Sequence, residues 1–323
     1  MISNPPDLRG KPWFTEKGEK IMTFRKSLLD YCLFLALIVA SILTVGCAGG
    51  QKAWSKEDGQ AILNQVYDKE KNLVYDMYLP KDLKKDAPVR LALFIHGGAW
   101  KGGSRHDIAF ACKHYAKQNC VTATIEYSLL SKEHPEVTIS TMLDEITACI
   151  KAIKEKLEAE GYQTSKIALS GISAGGHLAL LYSYSRAEES PIPIAFVFEF
   201  VGPTDFSEKT LGANDSAGIL SFIVGKKIKP EYVNKSKVKK LADSLSPVSF
   251  VTEKSVPTIY AYGGKDWLVK LCHRDALTQA LEKNGVPHVC VDFPNSNHGM
   301  SNDPDKLAEF NKAVMSYFDK YMP

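Results

Sequence analysis

The feature that most narrows the fold is an alternation along the chain, in which short apolar runs are separated by amphipathic stretches. Val89–Ile95 is a near-continuous apolar run, the pattern of a strand buried on both faces. Val121–Glu126, Lys166–Leu169, Ile194–Val201, Thr258–Tyr262 and His288–Phe293 read as further strands. Ala61–Tyr67 and Leu73–Leu79 read as two early ones, with Asp68-Lys69-Glu70-Lys71 as the turn between them. Helices are predicted at about Asp107–Gln118, Ser140–Glu160, Gly176–Ser185, Cys272–Asn284 and Lys306–Tyr321. In the longest, Ile139, Leu143, Ile146, Ile150 and Ile153 recur at three- and four-residue steps, and Gly161 ends it. Strands alternating with helices imply an eight-stranded, mostly parallel sheet with right-handed crossovers and helices on both faces. Such a sheet places its sites at the carboxyl ends of its strands.

Composition limits what such a sheet serves. The 323 residues are 45% hydrophobic and 24% charged, with a net charge of +3. That length supports one substantial core. The charge is too mild to point to nucleic acid or an anionic membrane. Of the 7 cysteines, Cys32 and Cys47 fall in the N-terminal segment. Cys112, Cys120, Cys149, Cys272 and Cys290 remain, an odd set that leaves at least one unpaired. Their spacing carries no metal signature, and buried free thiols are expected for most of them. No metal or organic cofactor is implied.

The first fifty residues stand apart from the domain. Arg25 and Lys26 precede an apolar stretch from Tyr31 to Val45, which ends at Gly46-Cys47-Ala48-Gly49-Gly50. A basic flank, a short apolar region and a small-residue site read as a secretory signal. The stretch is shorter than the ~20 residues needed to span a bilayer as a helix. Cys47 after Gly46 resembles the bacterial lipobox, whose cysteine is lipidated, although Thr44 stands where that motif usually has Leu. An uncleaved signal anchor is the alternative, and Met22 is an alternative start. Either reading exports residues 51–323, to the periplasm or cell envelope, with membrane contact only through the lipid or anchor.

Chemistry enters at Gly171-Ile172-Ser173-Ala174-Gly175, which follows one predicted strand and precedes a helix. G-x-S-x-G in that setting is a nucleophile elbow. The turn strains the serine backbone, glycines remove the collisions flanking it, and the following helix directs its positive end at a developing oxyanion. His96-Gly97-Gly98-Ala99-Trp100 follows the strand Val89–Ile95. The backbone N–H groups of Gly98 and Ala99, with that of Ala174, are the expected oxyanion-hole donors. His96 is expected to brace this loop. Trp100 is expected either to line the substrate pocket or to pack the loop.

A serine hydroxyl needs a base. His298, in Asn295-Ser296-Asn297-His298-Gly299-Met300, follows the last predicted strand and suits the role. The other seven histidines have adequate solvated or packed roles. Asp266, in Gly263-Gly264-Lys265-Asp266 after the strand Thr258–Tyr262, is the expected acid, to hold the imidazole tautomer. The order Ser173, Asp266, His298 is that of the α/β-hydrolases. Asp205, in Gly202-Pro203-Thr204-Asp205, is the rival acid, with a structural role at the start of an insertion as its other reading. That insertion, Phe206–Leu245, reads as a lid. Its lysines Lys226, Lys227, Lys229, Lys235, Lys237, Lys239 and Lys240 read as a solvated face, with selection of anionic substrates as the alternative.

From about Tyr75 onward the chain resembles the hormone-sensitive-lipase-like and BD-FAE-like α/β-hydrolases. The resemblance rests on Tyr78-Leu79-Pro80, His96–Trp100, Gly171–Gly176, Gly202–Asp205, Ser246-Pro247, Gly264–Asp266 and Asn297-His298-Gly299. It departs at Tyr127-Ser128-Leu129, where many relatives have Tyr-Arg-Leu. The resemblance implies an α/β-hydrolase fold and a serine carboxylesterase acting on small-molecule or carbohydrate esters. Its members include carboxylesterases, feruloyl and acetylxylan esterases, and kynurenine formamidases. An exopeptidase of the prolyl-oligopeptidase type and a non-catalytic binding protein on a hydrolase scaffold are the alternatives.

Overall fold

The computed structural model describes residues 54–85 and 87–323. The stretch read as a secretory signal, with Cys47, lies outside the described residues. Eight strands form one sheet: β1 (Gly59–Asp68), β2 (Leu73–Pro80), β3 (Leu91–Ile95), β4 (Val121–Ile125), β5 (Ile167–Ile172), β6 (Ile194–Phe200), β7 (Thr258–Gly263) and β8 (His288–Phe293). Their spatial order is β1-β2-β4-β3-β5-β6-β7-β8. β2 runs antiparallel to both β1 and β4, and every pairing from β4 to β8 is parallel. This is the α/β-hydrolase fold.

The helices are α1 (Ala109–Ala116), α2 (Ile139–Ala159), α3 (Ala174–Ser185), α4 (Glu208–Leu211), α5 (Ala213–Val224), α6 (Ser236–Leu245), α7 (Leu271–Lys283) and α8 (Pro304–Tyr321). The step from β3 to β4 runs opposite to the later steps across the sheet, so right-handed crossovers send α1 to one face and α2, α3 and α7 to the other. α8 shares the face of α1: Tyr115 and Phe318 meet there over Phe198. On the opposite face the Thr147 and Tyr182 hydroxyls join α2 to α3 at 2.9 Å. The central strands β3, β4 and β7 are buried along their whole length. Each large side chain sealed there contributes roughly 1.5–3 kcal/mol.

Three local departures from the sequence reading have physical causes. β5 does not stop at Leu169 but runs on through Ser170 and Gly171, which pair with Phe94 and Ile95 of β3. Gly171 is therefore a strand residue at the elbow's edge. α1 is shorter than predicted. A 3-10 turn at Arg105–Ile108 precedes it, with Ser104 N–H donating to the Asp107 carboxylate at 2.7 Å, and Asn119, at φ 62°, closes the turn after it. The insertion Phe206–Leu245 is α4, α5 and α6 with short turns between them, and its seven lysines at Lys226–Lys240 are all exposed. Cys112, Cys120 and Cys149 are buried free thiols, and Cys272 and Cys290 are half-buried free ones.

Candidate active site

β5 delivers Ser173 to the top of the sheet. Its backbone is left-handed, at φ 57° and ψ −120°, a conformation that costs a non-glycine residue of order 1–3 kcal/mol and persists only where its surroundings enforce it. The enforcement is visible. Ser173 N–H donates to Phe200 O at 2.8 Å, and its carbonyl accepts from His177 N–H at 2.9 Å. A Cβ on Gly175 would lie 2.0 Å from Ile95 O, and one on Gly171 2.3 Å from the Gly175 carbonyl. β3, β5 and α3 meet more closely than any side chain allows.

The β8–α8 loop carries His298 to this point. Its Nε2 is 2.9 Å from Ser173 Oγ, and its Nδ1 is 2.7 Å from Asp266 Oδ2. Because a carboxylate only accepts, Nδ1 bears the proton and Nε2 presents a lone pair to the hydroxyl. Asp266 Oδ1 accepts from Leu268 N–H at 2.8 Å and Val269 N–H at 3.0 Å, so both carboxylate oxygens are held. All three residues are buried, Ser173 and His298 with 8% of their surface exposed. The loops bearing acid and base are fastened together. Lys265 N–H donates to Ser296 O at 2.9 Å, and Ser296 Oγ donates to Asp303 Oδ2 at 2.7 Å. Burial is the largest single influence on the Asp303 carboxyl and raises its pKa, but the hydrogen bonds from Ser296 and Asn295 together outweigh it and hold the group below its usual range.

Asp205 is elsewhere. Its Oδ1 accepts from Ser207 N–H at 2.8 Å and its Oδ2 from the Thr210 hydroxyl at 2.6 Å, so it anchors the start of the insertion.

The loop after β3 is strained where donors are needed. Gly98 has φ 118°, Ala99 52° and Trp100 61°. The Gly98 carbonyl accepts from Lys101 and Gly102 N–H, both at 3.0 Å. Neither the Gly98 nor the Ala99 amide has an acceptor among the described residues. Ala174 opens α3, where a helix leaves its first N–H groups without intrahelical partners. His96 is fully buried, stacks on Tyr127 and donates from Nδ1 to Gly97 O at 2.7 Å. Burial lowers its pKa and keeps it neutral.

Of the two expected places for Trp100, the structure shows the packing one. Its indole is 2% exposed and donates from Nε1 to His177 Nδ1 at 3.2 Å. It packs edge-on against His177 and Phe206, so it supports the loop. His177 then donates from Nε2 to Leu245 O at 2.8 Å. This buried imidazole, whose structural role the sequence did not disclose, ties the β3 loop, the elbow helix and the end of the insertion together. A second tie is Lys101, whose ammonium donates to Phe222 O at 2.9 Å and sits 3.6 Å above the Phe222 ring.

A hydroxyl, imidazole and carboxylate in series, beside unsatisfied amides, is an arrangement for acyl transfer. Among the described residues no group of three or more metal-ligating side chains is gathered.

The chain is similar to known proteins in sequence and in fold. A family model described as BD-FAE matches residues 75–281. Esterase LipQ of Mycobacterium tuberculosis is 23% identical over 233 residues, covering 69% of this chain and 53% of LipQ. The chain spans between 6% and 56% of the length of the first curated relatives that it matches. Among solved structures, a truncated carbohydrate esterase from gut microbiota superimposes with a TM-score of 0.66 at 16% identity, covering 84% of this chain and 100% of that one. A butyrate-bound thermophilic esterase, Est2 of Thermogutta terrifontis, gives 0.63 at 22% identity, covering 79% of this chain and 92% of that one.

Proposed function

Since the chain belongs to the BD-FAE family, we propose that it is a serine esterase that cleaves short-chain carboxylic esters, carbohydrate esters among them, through an acyl-enzyme. The observation that carries this reading is the unbroken chain from Ser173 Oγ through His298 to Asp266, at 2.9 and 2.7 Å.

Ser173 Oγ attacks the ester carbonyl carbon as its proton passes to His298 Nε2. The imidazolium that forms is stabilised by the Asp266 carboxylate across Nδ1–H. Negative charge gathers on the former carbonyl oxygen. The amides of Gly98, Ala99 and Ala174 donate to it, each contributing roughly 3 kcal/mol if it matches the best-measured oxyanion hole. His298 returns its proton to the alkoxide, which leaves as the alcohol. Water then attacks the acyl carbon while His298 takes its proton, and the acid departs as Ser173 regains its hydrogen.

The related structures support the choice of substrate class: one relative is a carbohydrate esterase, and another was solved with butyrate bound. The export signal read at Arg25–Gly50 supports a site of action outside the cytoplasm, with Cys47 as the lipid attachment point. The contact of Lys101 with Phe222 supports a lid role for the insertion, because it joins that segment to the oxyanion loop.

Ser173→Ala tests the reading. The variant is expected to keep the wild-type melting temperature and to lose turnover of p-nitrophenyl acetate by several orders of magnitude. A fluorophosphonate should label the wild type at Ser173 alone. Turnover retained by Ser173→Ala would refute the assignment, and faster cleavage of a proline nitroanilide than of esters would turn it toward the exopeptidases.

A further inference from the structure

One acidic side chain interrupts the apolar strand β6. Glu199 stands between Phe198 and Phe200, pairs with Gly171 of β5, and is wholly buried. Its Oε2 accepts from Gly202 N–H at 2.6 Å, and its Oε1 has no partner among the described residues. Burying a carboxyl is costly, and more so with one oxygen left unpaired. None of the acyl-transfer steps above uses this group.

What Glu199 holds lies against the nucleophile. Its Oε2 sits between the turn after β6 and the first turn of α3, so that a Cβ on Gly176 or on Gly202 would lie 2.7 Å from it. The bond to Gly202 closes the turn Phe200–Val201–Gly202, in which Val201 has φ 49°. That is a left-handed backbone on a β-branched residue, which persists only where its surroundings enforce it. β7 supplies part of the enforcement: Ala261 O accepts from Val201 N–H at 2.9 Å, and the Tyr262 hydroxyl donates to Gly202 O at 2.5 Å. Phe200 O in turn accepts the Ser173 N–H at 2.8 Å. Two strained residues, Ser173 and Val201, are thus joined through one hydrogen bond, and Glu199 secures the turn that carries the second of them.

We infer that Glu199 is a positioning residue for Ser173, acting through the Phe200–Gly202 turn, an inference that rests on the esterase reading above. The carboxyl holds Gly202 N–H, that bond holds the turn, and the Phe200 carbonyl then sets the backbone of the nucleophile relative to His298 Nε2. A misplacement of about 1 Å at such a site costs on the order of a hundredfold in rate. An apolar side chain at this position would fill the same space but leave the buried Gly202 N–H without its acceptor. The turn would then shift to find another, and Ser173 would shift with it.

The test compares Glu199→Met, which keeps the bulk without an acceptor, with Glu199→Gln, which keeps an acceptor. Each is reacted with excess fluorophosphonate and assayed on p-nitrophenyl acetate. The final extent of labelling counts folded enzyme, whereas the labelling rate reports the placement of Ser173. Glu199→Met should lower the labelling rate and kcat per labelled site by about tenfold to a hundredfold, with KM within about threefold of wild type. Glu199→Gln should recover both to within about threefold. Glu199→Asp draws the carboxyl back by one methylene and should show the same slowing as Glu199→Met, so an insoluble Met variant still leaves the question decided. A Met or Asp variant that labels to a lower extent but at the wild-type rate would overturn the inference, because the role would then be structural alone. A Gln variant as slow as the Met variant would overturn it too, because the bond to Gly202 would then not be what positions Ser173. Either result leaves the esterase reading intact, whereas a wild type that is not labelled at Ser173 would remove both.

Discussion

Two aspartates follow neighbouring strands of this sheet, and what each touches separates them. Asp266 has one oxygen on His298 and the other on two backbone amides. Asp205 spends both oxygens on Ser207 and Thr210. Asp266→Asn therefore leaves the shape but presents an amide to Nδ1 and favours the wrong tautomer. In the best-studied triad that change costs about ten-thousand-fold in kcat, and a loss of that order is expected here. Asp205→Asn should leave kcat within about twofold and lower stability by about 1 kcal/mol. Steady-state kinetics and urea unfolding of both variants decide it, and equal losses of kcat would be the wrong result. Ser173, Asp266 and His298 were legible because each sits in a short polar or glycine-bearing loop just after an apolar run. Trp100 was not. Its partner His177 is 77 positions away, and only burial distinguishes an indole that supports a loop from one that faces a ligand.

At the level of elements, the elbow is a three-way approach of β3, β5 and α3 that glycine alone permits. Gly175→Ala would set a Cβ 2.0 Å from Ile95 O, a backbone atom in a buried strand that has nowhere to move. A loss of about 3 kcal/mol or more is expected, read as a fall in the urea midpoint or as insolubility. Gly218 is the control. It lies on the exposed side of α5 with nothing within 4 Å of an added Cβ, and Gly218→Ala should stabilise by about 0.5–1 kcal/mol through helix propensity. A stabilised Gly175→Ala would contradict the packing described. The alternation of strands and helices was readable because apolar runs and three- and four-residue steps are local signals. The end of β5 was not, because glycine signals a turn locally, whereas pairing of Ser170 and Gly171 with β3 decides otherwise. The insertion resisted for a related reason: α4 and the turns around it are too short for a periodic pattern to register.

For the molecule as a whole, buried groups of opposite sign set where in pH the fold is strongest. Burial first of all lowers His177 and His273 from 6.5 to about 4. The bonding pattern agrees, since each Nδ1 accepts a hydrogen bond, from Trp100 Nε1 and from Thr204 N–H respectively, and a proton there would face another donor. Between those two values the unfolded chain binds protons that the folded one refuses. Stability from each histidine is therefore present above 6.5 and lost as pH falls toward about 4, at up to about 1.4 kcal/mol per pH unit. Glu199 works the other way. It is fully buried beneath the start of α3, with Oε2 accepting from Gly202 N–H at 2.6 Å and Oε1 without a partner among the described residues. Burial raises its pKa well above 4.5. The folded state keeps its proton while the unfolded one gives it up, so stability falls as pH rises from 4.5 toward that raised value. His96 and His114 are lowered by burial too, so below 6.5 the histidines outweigh the one carboxyl, and above 6.5 the decline from Glu199 remains. Stability should therefore peak near pH 6.5, the unperturbed histidine value, and decline on both sides. Glu199→Gln keeps the shape and has no proton to lose. Relative to wild type it should gain stability as pH rises from 4.5 toward the raised value, at a slope of at most about 1.4 kcal/mol per pH unit, flattening the alkaline decline and leaving the acid one in place. Urea unfolding of both proteins at pH 5, 6.5 and 8 measures this difference directly, and curves that stay parallel from 6.5 to 8 would show that Glu199 ionises in the folded state.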